Sequence, residues 1–165
     1  IVYGISDFAL AGDLGISRKE AGAFIRSYLE TYPGVDRYMQ ESKAFAHEHG
    51  YVETLLGRRR YLPELKSSNF NVRSFGQRVA LNTPIQGTAA DIIKLAMIRV
   101  EHALRDRGLQ AKLILQVHDE LIVECPAKEA ETVMQLVTEQ MQQVMELKVP
   151  LIAEAKQGAN WYEAK

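Results

Sequence analysis

The stretch LILQVHDELIVE, from Leu113 to Glu124, places three ionisable residues, His118, Asp119 and Glu120, between two short apolar runs. Runs of this length and composition are typical of strands, so we expect an antiparallel hairpin with strands at 111–117 and 121–124. The charged tripeptide that joins them has two interpretations. It is either an ordinary polar turn, which attracts Asp, or a rigid support that holds carboxylates at one point in space.

The chemistry of the two carboxylates bears on this choice. Asp119 and Glu120 would point to opposite faces of a regular strand, whereas at a hairpin tip both can approach one site. A charged pair between apolar stems is costly to desolvate unless water or a cation compensates it. A hard cation such as Mg²⁺ is bound by one or two carboxylates together with waters and substrate phosphates. Taken alone, the tripeptide favours the ordinary turn.

The residues before the hairpin carry helix signals. A capping box formed by Ser17 and Glu20 predicts a helix that runs to about Tyr32, and Gly50 is suited to end the next one. The stretch YVETLLGRRRYLP, residues 51–63, predicts a second small hairpin.

Two further helices are expected around Pro84. One covers about 71–81, and Pro84 predicts a break after it. Thr83, Pro84 and Gln86 then fit the cap, first residue and capping-box partner of a helix that continues to Gly108.

The region after the HDE hairpin completes the fold prediction. Past Pro126 an amphipathic helix is expected, and residues 149–155, VPLIAEA, are a possible third strand. The inward positions of that helix are Ala130, Val133, Val137, Met141 and Val144. Helices against an antiparallel sheet predict a mostly helical α+β fold.

Composition narrows the class of protein. The chain has 165 residues, enough for one domain or part of a larger one, and its 47% hydrophobic and 25% charged content is ordinary for a soluble globular protein. Without an apolar run of 18 residues or a basic-apolar leader, we expect no membrane partner and a cytoplasmic location. A single cysteine, Cys125, fits a reducing compartment. The opening Ile1 suggests that the chain was cut from a longer one.

The charge distribution is uneven. The formal net charge is −1, yet residues 57–78 carry six Arg and Lys residues against one Glu. A basic stretch of this density, interleaved with aromatic and Asn residues, is typical of phosphate binding. The alternative is a solvated surface with scattered arginines.

Four motifs, in this order, resemble those of the bacterial DNA polymerase I family: YGIS at 3–6, GYVETLLGRRRYLP at 50–63, LNTPIQGTAAD at 81–91 and VHDE at 117–120. The resemblance covers practically the whole chain. It implies part of a right-hand polymerase domain, in which residues 1–70 are the C-terminal portion of the fingers and residues 71–165 that of the palm, with the HDE hairpin in the palm sheet.

The same resemblance implies a catalytic centre at the hairpin. Asp119 matches one of two metal-binding aspartates, Glu120 a supporting carboxylate, and His118 a residue that approaches the primer end. The cofactor would be Mg²⁺ in a two-metal site completed by a residue upstream of this chain. The implied partners are primer-template DNA, deoxynucleoside triphosphates and the upstream part of the polymerase domain, in the bacterial cytoplasm at the nucleoid.

The implied DNA contacts are Arg78, Asn82, Gln86, Tyr3 and Arg73. Minor-groove contacts by Arg and Gln suit an enzyme that accepts any sequence, because every correct base pair presents acceptors there. Each residue also has a structural alternative: Gln86 as a capping-box residue, Asn82 as a helix-end residue, Arg78 as a solvated cation and Tyr3 as a core aromatic.

Three functions therefore compete. The resemblance favours template-directed DNA synthesis, with this chain inactive alone because it carries one of the two aspartates. A non-catalytic nucleic-acid-binding fragment is the alternative, and a metal-dependent phosphoesterase using Asp119 and Glu120 is a third. The sequence that precedes Ile1 in the native polypeptide would distinguish them.

Overall fold

The computed structural model describes residues 1–164, which form two compact units, residues 1–88 and residues from Ala89 onward. The helices and strands are α1 (Asp7–Leu14), α2 (Arg18–Thr31), α3 (Pro33–His49), β1 (Tyr51–Glu53), β2 (Arg59–Tyr61), α4 (Phe70–Asp106), β3 (Lys112–Val117), β4 (Glu120–Glu124) and α5 (Ala130–Gln142). Short 3₁₀ turns lie at Pro63–Lys66 and Ala127–Glu129. The predicted α+β class, mostly helical with small antiparallel hairpins, is confirmed.

Helix ends in the first unit follow their capping residues. The Ser17 hydroxyl accepts from the Glu20 amide and the Glu20 side chain accepts from the Ser17 amide, so the predicted capping box starts α2. Gly50 ends α3 at a φ of 74°, as predicted. Helix α1 was not predicted. It has no buried residue, and the Ser6 hydroxyl caps it by accepting from the Ala9 amide.

The first hairpin, β1–β2, packs on α4 within the same unit. Val52, Leu62 and Leu65 form a buried cluster with Ala46 of α3 and with Val79 and Ala80 of α4. The hairpin is antiparallel, with Glu53 opposite Arg59. The predicted hairpin at 51–63 is thus confirmed, and burial of its apolar residues ties the basic limb to α4.

Helix α4 contradicts the predicted break at Pro84. It is one helix of 37 residues with Pro84 inside it, so Thr83 is not an N-cap and Gln86 is not a capping-box partner. An internal Pro costs about 3 kcal/mol because it removes one hydrogen bond and crowds the preceding turn. Both flanks of the helix are buried in the cores of their own units, at Leu81 on one side and Val100 on the other. We attribute the continuity to this burial, which outweighs the local preference.

The second unit packs a hairpin against two helices. Strands β3 and β4 pair antiparallel with a bulge between Leu113 and Leu115. Leu121 and Val123 of β4 contact a buried cluster from α4 and α5. The members of that cluster are Val100, Leu104, Ala111, Val133, Leu136 and Val137. The predicted amphipathic helix is confirmed as α5, although Val144, which is buried, lies beyond its end.

The prediction of a possible third strand is wrong. Residues 149–155 form no strand in the part of the chain that the structure describes. Val149 is 67% exposed and Ile152 is 78% exposed, so neither of these two side chains is packed in a core. A strand needs a neighbouring strand to satisfy its backbone groups, and no strand among residues 1–164 pairs with this segment.

The helices of residues 1–164 include none that combines the length and apolar character required to cross a bilayer.

Candidate functional site

The charged tripeptide is a two-residue turn followed by the first residue of a strand. Val117 pairs with Glu120, which leaves His118 and Asp119 as the turn. Glu120 therefore belongs to β4, and the prediction that it shares the tip with Asp119 is corrected. The cause is register: a two-residue connection is the shortest common link between antiparallel strands. All three side chains are exposed.

The backbone at His118 is unusual. Its φ is 53°, in the left-handed region that few residues other than Gly occupy, and among residues 1–164 no other non-Gly residue has a positive φ. Such a conformation costs of order 1–3 kcal/mol and persists where the surroundings hold it. The Gln116 amide Nε2 donates to the His118 carbonyl at 2.6 Å, and Leu121 and Val123 anchor β4 on the buried cluster of the second unit. The tip is thus a held turn.

The hairpin supplies donors for a divalent cation without completing a site. Asp119 and Glu120 offer exposed carboxylate oxygens, which are the donors that Mg²⁺ prefers. Within residues 1–164, no three His, Cys, Asp or Glu side chains converge as a metal site would require. The donor chemistry fits Mg²⁺. Burial raises the pKa of the Cys125 thiol.

A second group of candidate residues lies in the first unit, on α4. Arg78, Asn82 and Gln86 are four residues apart and follow one face of the helix. Arg78 and Gln86 are exposed, and Asn82 is half-buried with a buried Oδ1 that has no hydrogen-bond partner. The helix-end interpretations of Asn82 and Gln86 are excluded, because both residues lie inside α4.

The N-terminal turn that carries Tyr3 comes close to α4 at the next residue. Gly4, which follows it, has a φ of 79°, and a Cβ there would be 2.9 Å from Leu81 Cδ1 and 3.6 Å from Arg78 Cγ. The N-terminal turn therefore approaches α4 closely at Arg78 and Leu81. Tyr3 is 49% exposed in the part of the chain that the structure describes. The hydroxyl of Tyr38 donates to the Leu81 carbonyl at 2.9 Å and joins α3 to the same turn of α4. Burial raises the pKa of the Tyr38 phenol.

The basic stretch 57–78 contains two kinds of cation. Arg59 pairs with Glu53 at 2.6 Å and lies 4.6 Å above the Tyr51 ring, and the hydrogen bond to Glu53 raises the pKa of its guanidinium. Arg73 Nη1 donates to the carbonyls of Ser67 and Ser68, each at 2.8 Å. Both residues therefore have structural contacts. Arg60 and Arg78, by contrast, extend into solvent.

Two threonines that the sequence analysis did not single out connect the hairpin loop to α4. The Thr88 hydroxyl accepts from the Leu55 amide at 3.0 Å and donates to the Pro84 carbonyl at 2.5 Å. The Thr54 hydroxyl accepts from the amides of Leu56 at 3.3 Å and Arg58 at 3.2 Å. The one signal in the sequence is the position of Thr88 four residues after Pro84, where a hydroxyl can bond back to the carbonyl.

The structure thus groups Tyr3, Arg78, Asn82 and Gln86 in the first unit, and His118, Asp119 and Glu120 in the second. The sequence profile of DNA polymerase family A matches residues 1–163. The chain belongs to DNA polymerase family A.

Two DNA polymerase I proteins of this family are close to the chain in sequence. The chain is 58% identical to the DNA polymerase I of Bacillus caldotenax over 165 residues, which are all of this chain and 19% of that protein. It is 52% identical to the DNA polymerase I of Caldicellulosiruptor bescii, with the same shares covered. The chain spans about a fifth of the length of these relatives.

A solved structure matches the fold. The POL domain of Pol1 from M. smegmatis, in a complex with DNA primer-template and dNTP, matches 99% of this chain and 29% of its own chain. The TM-score is 0.95 at 47% sequence identity. The family A chain therefore has the fold of the corresponding part of a polymerase domain.

Proposed function

We propose that the chain is the part of a DNA polymerase that contributes one half of the site for template-directed DNA synthesis. The observation that carries the proposal is the held turn at His118 and Asp119, which presents a carboxylate at the end of a hairpin anchored in its own unit. The match to a Pol1 domain bound to primer-template and dNTP supports DNA and a nucleotide as ligands. In this proposal, residues 1–70 belong to the fingers and residues 71–165 to the palm.

Asp119 would hold Mg²⁺ directly, with Glu120 as the nearby supporting carboxylate. When bound, Mg²⁺ supplies charge stabilisation to the phosphoryl oxygens in nucleotidyl transfer. The described part of the chain lacks a third converging carboxylate, so the remaining ligands would come from another part of the polymerase and from the substrate. His118, held by its backbone, would present its ring toward the primer end.

The α4 face would bind the duplex. Arg78 and Gln86 are exposed and can donate to minor-groove acceptors, which every correct base pair displays. Asn82 has a buried oxygen without a partner, so DNA contact there would involve its amide nitrogen. Tyr3 would add an aromatic surface beside them, near the templating base. Arg73 is the weakest of the DNA-binding candidates because its Nη1 is engaged by Ser67 and Ser68.

The alternative is a non-catalytic nucleic-acid-binding fragment, which the net charge of the basic stretch favours. That alternative gives no role to the left-handed backbone conformation of His118. In the polymerase proposal the fragment is inactive alone, and the protein acts in the bacterial cytoplasm at the nucleoid.

A segment exchange tests the proposed function. Residues 1–165 replace the matching segment of the Bacillus caldotenax relative, and primer extension by this chimera is measured with Mg²⁺ and all four nucleotides. We expect extension within about tenfold of the parent enzyme, a difference of about 1.4 kcal/mol in activation free energy, because the chain is 58% identical to the segment that it replaces. A folded chimera that binds duplex but does not extend it would instead favour the non-catalytic alternative.

A further inference from the structure

We propose that Thr88 is a positioning residue for DNA binding, which couples the loop of the first hairpin to the DNA-facing side of α4. The loop is residues 54–58, between β1 and β2, and the contact between its Leu55 amide and Thr88 is called the clasp below. The inference rests on the proposed function, since it concerns the same surface.

In the clasp, one buried hydroxyl is both a hydrogen-bond donor and a hydrogen-bond acceptor. Thr88 is 7% exposed, and its Oγ1 accepts from the Leu55 amide while donating to the Pro84 carbonyl. Pro84 has no amide hydrogen, so α4 lacks the backbone bond from residue 84 to the carbonyl of Ala80. The hydroxyl thus bonds to the helix one turn after that gap and holds the loop from the same atom.

The loop is also pressed against the helix backbone. A Cβ on Gly87 would lie 2.6 Å from Thr54 Cγ2, a distance at which one of the two groups must move. Thr54 is 6% exposed and β-branched, so its side chain has little freedom to turn away. The glycine next to Gln86 therefore allows the loop to sit directly on α4.

The clasp has a consequence for the basic residues. The Thr54 amide donates to the Arg58 carbonyl at 3.0 Å, and the Arg58 amide donates to the Thr54 hydroxyl at 3.2 Å. Because these bonds link the two ends of the loop, fixing the position of Leu55 also fixes the start of the run Arg58, Arg59 and Arg60. The clasp fixes the position of this run relative to Arg78 and Gln86. The arginine run would then contact the phosphates of the same duplex whose minor groove Arg78 and Gln86 contact.

The test compares Thr88→Val with Thr88→Ser in the full chain. Valine keeps the shape and removes the hydroxyl, whereas serine keeps the hydroxyl. Hydrogen exchange of the Leu55 amide is measured by NMR, and affinity for a primer-template duplex is measured by anisotropy over a range of salt concentrations. The reference for the slope of log affinity against log salt is a triple variant, in which Arg58, Arg59 and Arg60 are changed together to alanine.

We expect about tenfold faster exchange at Leu55 in Thr88→Val and near-wild-type exchange in Thr88→Ser, as for loss of one buried hydrogen bond. Each phosphate contact contributes about −0.9 to the slope of log affinity against log salt. The triple variant should flatten the slope by up to about 3, and Thr88→Val should flatten it by about 1 to 2, with recovery in Thr88→Ser.

Unchanged exchange at Leu55 in Thr88→Val would overturn the clasp itself. Faster exchange with an unchanged salt slope would overturn its positioning role. A wild-type chain that does not bind the duplex would overturn it as well, and primer extension by the chimera would then decide the proposed function separately.

Discussion

Replacing Asp119 by alanine should abolish nucleotide addition by the chimera while duplex affinity stays within a few fold. Asp119 is exposed at the held turn, and in the proposed site its carboxylate acts on the metal and on charge that develops during transfer. Interactions made only in the transition state affect turnover and not ground-state binding. Loss of several kcal/mol of charge stabilisation lowers the rate by on the order of 10³-fold or more.

Two neighbouring carboxylates serve as controls. Glu120 is the first residue of β4, so Glu120→Ala should lower the rate less, by about tenfold, a loss of 1.4 kcal/mol. Glu124 is the last residue of the same strand and is also exposed, and Glu124→Ala should leave the rate unchanged. Single-turnover primer extension measures all three. A larger loss for Glu120→Ala than for Asp119→Ala would reverse the assignment of the metal ligand.

The chain alone should not extend a primer, and activity should appear when the preceding part of the relative's polymerase domain is supplied as a separate chain. The negative result is expected from the donors: residues 1–164 hold no cluster of three metal-ligating side chains. The recovery is expected from exposed apolar surface. Ile114 is 55% exposed and Leu115 is 45% exposed on β3, in a sheet of two strands, and such a surface favours association with another chain.

The measurement is primer extension by residues 1–165, by the preceding part of the relative's polymerase domain, and by both co-expressed. Asp119→Ala in the co-expressed pair is the control, and it should remove the recovered activity. Robust extension by residues 1–165 alone would contradict the half-site account. No activity in the mixture would count against association through the β3 surface.

Local signals in the sequence predicted the elements that local physics determines. The Ser17 capping box, the Gly50 helix end and both hairpins depend on residues near one another in the chain, and all are present. The predicted turn differs from the observed one by one residue, because the strand register includes Glu120 in β4.

Contacts between distant residues could not be predicted in the same way. Pro84 signals a helix end locally, yet burial on both sides of it keeps α4 continuous. Thr88 and Leu55 are 33 residues apart, and nothing in either position indicates that they meet. The apolar segment 149–155 has a strand pattern, but pairing depends on a neighbour that the pattern does not specify.

Metal dependence of the Asp119→Cys chimera tests the central claim most directly, because it exchanges a hard ligand for a soft one at a single position. Carboxylates suit Mg²⁺, whereas thiolates select softer ions such as Zn²⁺. The account predicts that Asp119→Cys loses primer extension in Mg²⁺ and regains part of it when a thiophilic divalent ion is added, while Asp119→Ala does not recover. Extension by Asp119→Cys in Mg²⁺ at the rate of the unmodified chimera would contradict metal binding by Asp119.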